Sequence, residues 1–362
     1  MEIGTAMILA CELSARRAVG GATTLCLSDN TDLLPLLQAD EPERRQSWAT
    51  LCGAIAASDL STVIMDNIGM DETAAAVLGQ QLAEPGIPAV SDLSLAGNQS
   101  VGQEGAASLA TMLLASAHLR HIRFGPNDGV RVPTNRSELM VLDVSAQSLG
   151  PQECTLLPSV VASNTGLVSL NLSGNPLTGG EMAWDDKSQE YSVCMPGSNN
   201  IGFRELTKAM THSKIQTVDL DNCGLMSSSC ECLAAFVEES THLQGSRMFQ
   251  NKIEDDGLAS VIAAAERNAS IRTIVGLFAG GEIVADWSSL RIGTVGCKII
   301  AAELTLERNS EHLTHMSVAG NFIGGSKISL PPGTVSVEVA RGVFAKMDDS
   351  WGELISDPED GE

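Results

Sequence analysis

The chain has 362 residues, 45 of them acidic against 22 basic, for a net charge of -23. A field of that sign repels phosphate backbones and anionic lipid, so nucleic acid is not an expected partner, and proteins with basic surfaces are. Apolar residues make up 43% but aromatic ones only 3%, which suits many thin layers of Leu, Ala, Val and Ile better than one core built around rings. No apolar run reaches the roughly 18 residues a spanning helix needs, so direct membrane insertion is not expected. The nine cysteines are scattered and odd in number, as reduced thiols in a cytoplasmic compartment would be. An organelle- or cilium-associated assembly is compatible with that.

Taken in chain order, the first segment, Ile3 to Ala10, reads as the helical half of a repeat rather than as a secretory signal, because it lacks a basic leader and Glu12 interrupts it. A degenerate strand and turn follows at Leu25, Leu27 and Asn30. Looser copies begin at Leu60, Val90 and Leu119, and a firmer one occupies Leu139, Leu142, Val144, Gln147 and Leu149. The clearest runs Leu167-Val-Ser-Leu170-Asn-Leu172-Ser-Gly-Asn175-Pro-Leu177. The frame returns from Ile215 through Cys223, from Leu243 through Asn251, near Ile271, and from Leu313 through Asn321. Starts at 60, 90, 119, 139, 167, 215, 243, 271 and 313 are spaced by 30, 29, 20, 28, 48, 28, 28 and 42 residues. In each copy the L-x-L core puts two side chains on one face of a short strand, and the asparagine turns the chain. Helical patterns follow over Ala74 to Leu82, Glu104 to Leu114, Glu153 to Val161, Ser229 to Val237 and Asp256 to Ala265. One such unit cannot bury its own apolar stripe, so neighbours must stack.

The pattern L-x-x-L-x-L-x-x-N-x-L, as it stands from Leu167 to Leu177, resembles that of the leucine-rich-repeat superfamily, and units of about 28 residues with a full helix resemble its ribonuclease-inhibitor-like class. The resemblance covers about residues 20 to 330. It implies an α/β solenoid, a horseshoe with parallel strands on the concave face and helices on the convex face. Gln147 and Cys223 stand where asparagine is usual, and Gly276 weakens the copy near 271.

Interruptions divide the chain further. The solenoid is expected over 1–334, with insertions near 125–137, 180–200 and 279–295, and residues 335–362 as a C-terminal cap with a short acidic tail. The shortened unit around Gly129 to Arg136 is expected to cross the convex side as an extended loop. The second insertion carries Trp184 and Tyr191, the only tyrosine, and the third carries Trp287. Both follow the strand-and-turn part of their units, which would bring them out on one rim. Long surface loops cost little, so both read either as tolerated decoration or as contact loops.

Catalytic and metal constellations do not stand out. Cys223, Cys230 and Cys232 are close in sequence without a nearby histidine and read as structural thiols. His121 and His315 occupy equivalent strand positions because the repeat places them there. No cofactor is expected, and no enzyme. The residues between the strand leucines carry more information. Arg120, His121 and Arg123 form a basic patch on an acidic chain; Arg247, Phe249, Arg272 and Phe278 put arginine beside phenylalanine, a composition common in contact surfaces. The two phenylalanines read equally as packed inside irregular units. The leading expectation is a protein-interaction scaffold or a subunit of a larger assembly, binding through the concave face and inserted loops. Two alternatives are a regulator of a small GTPase, by resemblance to proteins of this repeat class that activate the nuclear-transport GTPase, and the repeat segment of an innate-immune-type receptor.

Overall fold

The computed structural model describes residues 23–30, 42–83, 90–185, 190–273, 284–286, 296–300, 302, 315–317, 328–329, 336–339, 343–345 and 353–354. The expected N-terminal helix, the acidic tail, Asn321 and most of the third insertion lie outside them. The chain forms two compact units, one of Met1–Met140, Ala146–Leu167 and Asn199–Ser213, the other of Val141–Ser145, Val168–Ser198 and Lys214–Glu362.

The first unit holds a sheet of β1 (Thr24–Cys26), β2 (Thr62–Ile64), β3 (Asp92–Ser94), β4 (His121–Phe124) and β5 (Val130–Pro133), side by side in that order. The first four are parallel and in register, so Leu25, Val63, Leu93 and Ile122 form one column across the sheet. Val63, Leu93 and Ile122 are buried. The flanking columns, Thr62-Asp92-His121 and Ile64-Ser94-Arg123, are partly open to solvent, as the two-residue strand period requires. Five helices accompany these strands: α1 (Pro42–Ala56), α2 (Glu72–Leu82), α3 (Gly102–Ala115), α4 (Pro151–Ser163) and α5 (Ile201–Thr211). Each buries residues three or four apart, for example Ala106, Leu109, Met112 and Leu113 on α3. Asp71 caps α2 by accepting the Ala74 N–H at 2.8 Å, and Glu153 of α4 reaches back to the Gly150 N–H at 2.9 Å.

The second unit holds β6 (Val141–Asp143), β7 (Ser169–Asn171), β8 (Gly180–Asp185), β9 (Glu190–Pro196), β10 (Thr217–Asp219) and β11 (Gly245–Arg247). Strands β6, β7, β10 and β11 make a parallel sheet whose central column is Leu142, Leu170, Val218 and Ser246. Helices α6 (Ser227–Glu239) and α7 (Asp255–Arg267) pack on each other. Further on, β12 (Val284–Asp286), β13 (His315–Ser317), β14 (Ile328–Ser329), β15 (Ser336–Val339), β16 (Val343–Ala345) and β17 (Glu353–Leu354) follow. Strand β15 lies parallel to β13 and β16 antiparallel to β15, so the residues after 335 extend a parallel sheet by one strand before turning back.

Buried asparagines tie several turns to the one before. Asn98 donates to Met65 O at 2.8 Å and Leu95 O at 2.9 Å, and accepts from the N–H groups of Ile68 and Met70, both at 3.1 Å. Asn251 repeats the arrangement on Leu220, Met248, Cys223 and Leu225. At Cys223 the thiol does part of this work, donating to Leu172 O at 3.2 Å. Burial pushes the Cys230 thiol up to about 12 and the Cys52 thiol well above its usual range, so both are inert. Among the described residues no cluster of His, Cys, Asp or Glu fits a metal ion.

Glycine sets how closely the helices approach. Gly105, Gly202 and Gly257 each sit four residues before a core side chain, Leu109, Leu206 and Val261. A β-carbon on Gly202 would lie 2.9 Å from Thr155 N and 3.0 Å from Pro151 O, backbone atoms of the preceding helix that cannot swing away. Gly202→Val is therefore expected to cost about 1–3 kcal/mol by forcing α5 off α4. Urea unfolding reads the loss, and an unchanged midpoint would mean that the contact yields.

The segment around Gly129 departs from the expected convex loop. Val130–Pro133 pairs antiparallel with β4, placing Val132 opposite Ile122 and Arg131 opposite Arg123. The cause is the Val-Arg-Val alternation, which buries Val132 in the apolar column and leaves Arg131 exposed, while Pro133 sits at the far end where no ladder N–H is needed.

Candidate contact faces on the two sheets

On the first unit's sheet face, β3, β4 and β5 bring charged side chains together. Asp92 is the hub. Arg131 donates to its Oδ1, Ser91 Oγ donates to its Oδ2 at 3.0 Å, and His121 Nδ1 lies 3.1 Å from Oδ1. The histidine contact has ion-pair distance without hydrogen-bond alignment, so His121 Nδ1 has no hydrogen-bond partner. Arg136 Nη2 lies 3.4 Å from His121 Nε2, and Arg136 Nη1 lies 3.5 Å from Glu138. Burial alone would raise Asp92, but the hydrogen bonds from Arg131 and Ser91 and the charges nearby outweigh it and hold the carboxyl below its usual range. Burial, then the Arg131 charge, lowers His121 against the pull of Asp92, which favours the neutral ring at pH 7.

Two concavities flank Arg123. One, of about 220 Å³, is lined by Thr62, Val63, Ile64, Leu93 and Ser94 with Asp92, His121 and Arg131 around it. The other, of about 490 Å³, is lined by Ser28, Asp29, Asn67, Gln99, Asn127 and Asp128. Asp66 borders both, and its Oδ1 accepts from Ser94 Oγ at 2.6 Å and Ala96 N at 2.9 Å.

On the second unit, Arg247 bridges two acids across β10 and β11. Its Nη2 lies 2.5 Å from Asp221 Oδ2 and its Nη1 lies 3.4 Å from Asp219 Oδ2, while Asp221 Oδ1 accepts the Phe249 N–H at 2.7 Å. Burial and the neighbouring Asp219 push Asp221 up from 3.8 to about 7, with Arg247 pulling the other way. A raised carboxyl favours folding fully below its unfolded value near 4, and that contribution is lost as pH rises through about 7. Arg247→Ala removes the pull of that cation. The expected cost is about 2 kcal/mol at pH 8, below the full penalty for a buried pair because water reaches the arginine, and much less near pH 4, where Asp221 is neutral. Unfolding midpoints at the two pH values measure it, and equal losses at both would dismiss the coupling.

The expected contact residues thus part company. Arg120 is exposed just before β4, and Arg123 stands on the sheet face beside His121. Trp184 and Tyr191 are opposite one another in the β8–β9 hairpin, brought together by pairing rather than lying in an irregular loop. Arg247 is turned to its own acids, and Arg272 is exposed. Phe249 is a correction: at 1% exposure it belongs to the core. It stands where Ala96 stands in the first unit, past the strand, and the Asp221 carboxylate fixes its backbone as Asp66 fixes that of Ala96. Phe278 and Trp287 lie outside the described residues. Sequence reasoning missed Asp92, Asp66, Arg131 and Arg136. The two aspartates occupy solvent-facing positions of the repeat, which was a usable signal; the arginines required recognising β5.

Comparisons with known proteins close the picture. No family model matches the chain. Over 223 residues, 60% of its length, the chain is 24% identical to the human NACHT, LRR and PYD domains-containing protein 5, and the match spans 16% of that protein. Among solved structures it is similar to a chain in the crystal structure of the yeast Rad7 and Elc1 complex, with 13% identity, a TM-score of 0.25, and coverage of 88% of this chain and 77% of that one. The sequence relative's name carries leucine-rich repeats, in agreement with the motif from Leu167 to Leu177.

Proposed function

We propose that the chain is a protein-binding leucine-rich-repeat module of the ribonuclease-inhibitor-like class, acting as a scaffold or as a subunit of an assembly and performing no chemistry of its own. The observation that carries this reading is the first unit's sheet, which buries Val63, Leu93 and Ile122 on one face and presents Asp92, His121, Arg123 and Arg131 in register on the other. A rigid ladder of ordered, partly open polar side chains suits recognition of another protein. The relative's name carries leucine-rich repeats beside two other domains, and the match spans 16% of that protein. Cys26, Cys52 and Cys230 carry free thiols, which fits a reducing compartment. No helix among the described residues is long and apolar enough to cross a membrane.

The test is affinity capture with quantitative mass spectrometry, comparing the wild type with Arg120→Glu/Arg123→Glu. Proteins bound through this face should disappear from the variant's recovery while the unfolding midpoint stays in place. The same proteins recovered in the same amounts would remove the first sheet face from the binding surface.

A further inference from the structure

The side chains around Arg123 differ in how fully their bonding capacity is used. Four carboxylates line the two concavities beside Arg123: Asp92 is engaged by Arg131 and Ser91, Asp66 by Ser94 and the Ala96 N–H, and Asp29 by the Asn67 amide, while Asp128 lines the second concavity. Arg131 is engaged by Asp92 in turn. Arg123 and Arg120 have no ion pair or side-chain hydrogen bond among the described residues. On a chain with 45 carboxylates for 22 cations, two guanidinium groups left without a carboxylate stand against the composition. Register sharpens this, because Arg123 lies directly opposite Arg131 on the same face, and like charges so placed oppose each other. Nothing in the packing needs arginine at 123, since the column that holds the sheet together is Ile122 and Val132. What the position offers is a planar donor fork, made for a carboxylate, at the rim of a concavity of about 220 Å³ whose lining includes the half-buried side chains of Thr62, Ile64 and Ser94.

We infer that the face around Arg123 binds an acidic linear segment of a partner protein, one carboxylate taking the free guanidinium of Arg123 and a neighbouring aliphatic side chain entering the concavity beside it. The inference rests on reading this face as a contact surface and adds the chemistry of the partner. It runs against the net charge, which on its own would draw basic partners. The acidic field acts at long range and is screened within about 10 Å at moderate salt, whereas a bidentate pair acts at contact.

The experiment is fluorescence anisotropy on the full chain, with a labelled peptide repeating Glu-Leu-Asp-Glu-Gly, one in which serine replaces leucine, and one repeating Lys-Leu-Arg-Lys-Gly. The leucine-containing acidic peptide should bind saturably and more tightly than the other two. Arg123→Gln and Arg123→Glu should each weaken it by about tenfold or more, and Arg272→Glu, on the second unit, should not. Arg123→Glu should leave the unfolding midpoint in place or raise it, because it exchanges a like-charge pair with Arg131 for an opposite one. Tighter binding of the basic peptide, no saturable binding, or equal affinity in the Arg123 variants overturns the inference. If the acidic peptide fails while partner capture still depends on Arg123, the contact surface stands and only the assigned chemistry falls.

Discussion

Asn98→Ala is expected to destabilise the first unit by about 3–4 kcal/mol, far more than the deletion of one polar side chain usually costs. Each hydrogen bond is worth roughly 0.5–1.5 kcal/mol net, and the carboxamide makes four of 2.8–3.1 Å and a longer one, to Ala96 O at 3.4 Å, with backbone groups at a site only 4% exposed. Alanine leaves two buried N–H groups, of Ile68 and Met70, and two carbonyls, of Met65 and Leu95, without that partner. Asn98→Asp should be no better, because a carboxylate still accepts from the two N–H groups but faces the two carbonyls with a second acceptor. Asn98→Cys should be milder, since Cys223 shows that a thiol at this position can donate to the preceding turn. Urea unfolding gives the totals, and amide hydrogen exchange at Ile68 and Met70 gives the location. Loss below about 1 kcal/mol for alanine would show that water or a backbone shift replaces the carboxamide.

Trp48→Ala is expected to cost about 3–5 kcal/mol. The side chain is 2% exposed, and its Nε1–H donates to Ala74 O at 3.0 Å, fastening α1 to the start of α2. Truncation opens a large cavity between those helices and removes a donor from a buried carbonyl. Trp48→Phe separates the two effects, because it keeps most of the volume and loses the hydrogen bond. It should fall about 1 kcal/mol below the wild type, plus whatever the smaller ring leaves unfilled. Equal unfolding midpoints for the alanine variant and the wild type would show that α1 contributes nothing to the unit's stability.

Strand positions were legible in the sequence because the repeat imposes them. Strands β2, β3, β4, β6, β7, β10 and β11 each begin two residues after the apolar residue that opens its copy, at Leu60, Val90, Leu119, Leu139, Leu167, Ile215 and Leu243. The five expected helices are present with ends displaced by a residue or two. Helices α1 and α5 lay between copies rather than within the stated patterns, and no register pointed to them. Strand β5 was missed for a physical reason. Four residues with one buried position carry too little periodicity to be told from a loop, and only pairing with β4 makes them a strand. Phe249 shows the limit from the other side. Its place just past a strand looks outward by alternation, but the chain has already entered the turn, where alternation no longer applies.

The asparagine ties point in one direction along the chain. Asn98 completes the turn at Ile68 and Met70, residues 30 and 28 positions earlier, and Asn251 does the same for Cys223 and Leu225, 28 and 26 positions earlier. The N–H groups of these two turns are therefore capped by the repeat that comes after, although each asparagine also bonds a carbonyl of its own turn. During synthesis each turn leaves the ribosome with its backbone bonded to water and is completed only when roughly one more repeat has emerged, so the folded edge of the growing chain trails the newest residue by about a repeat.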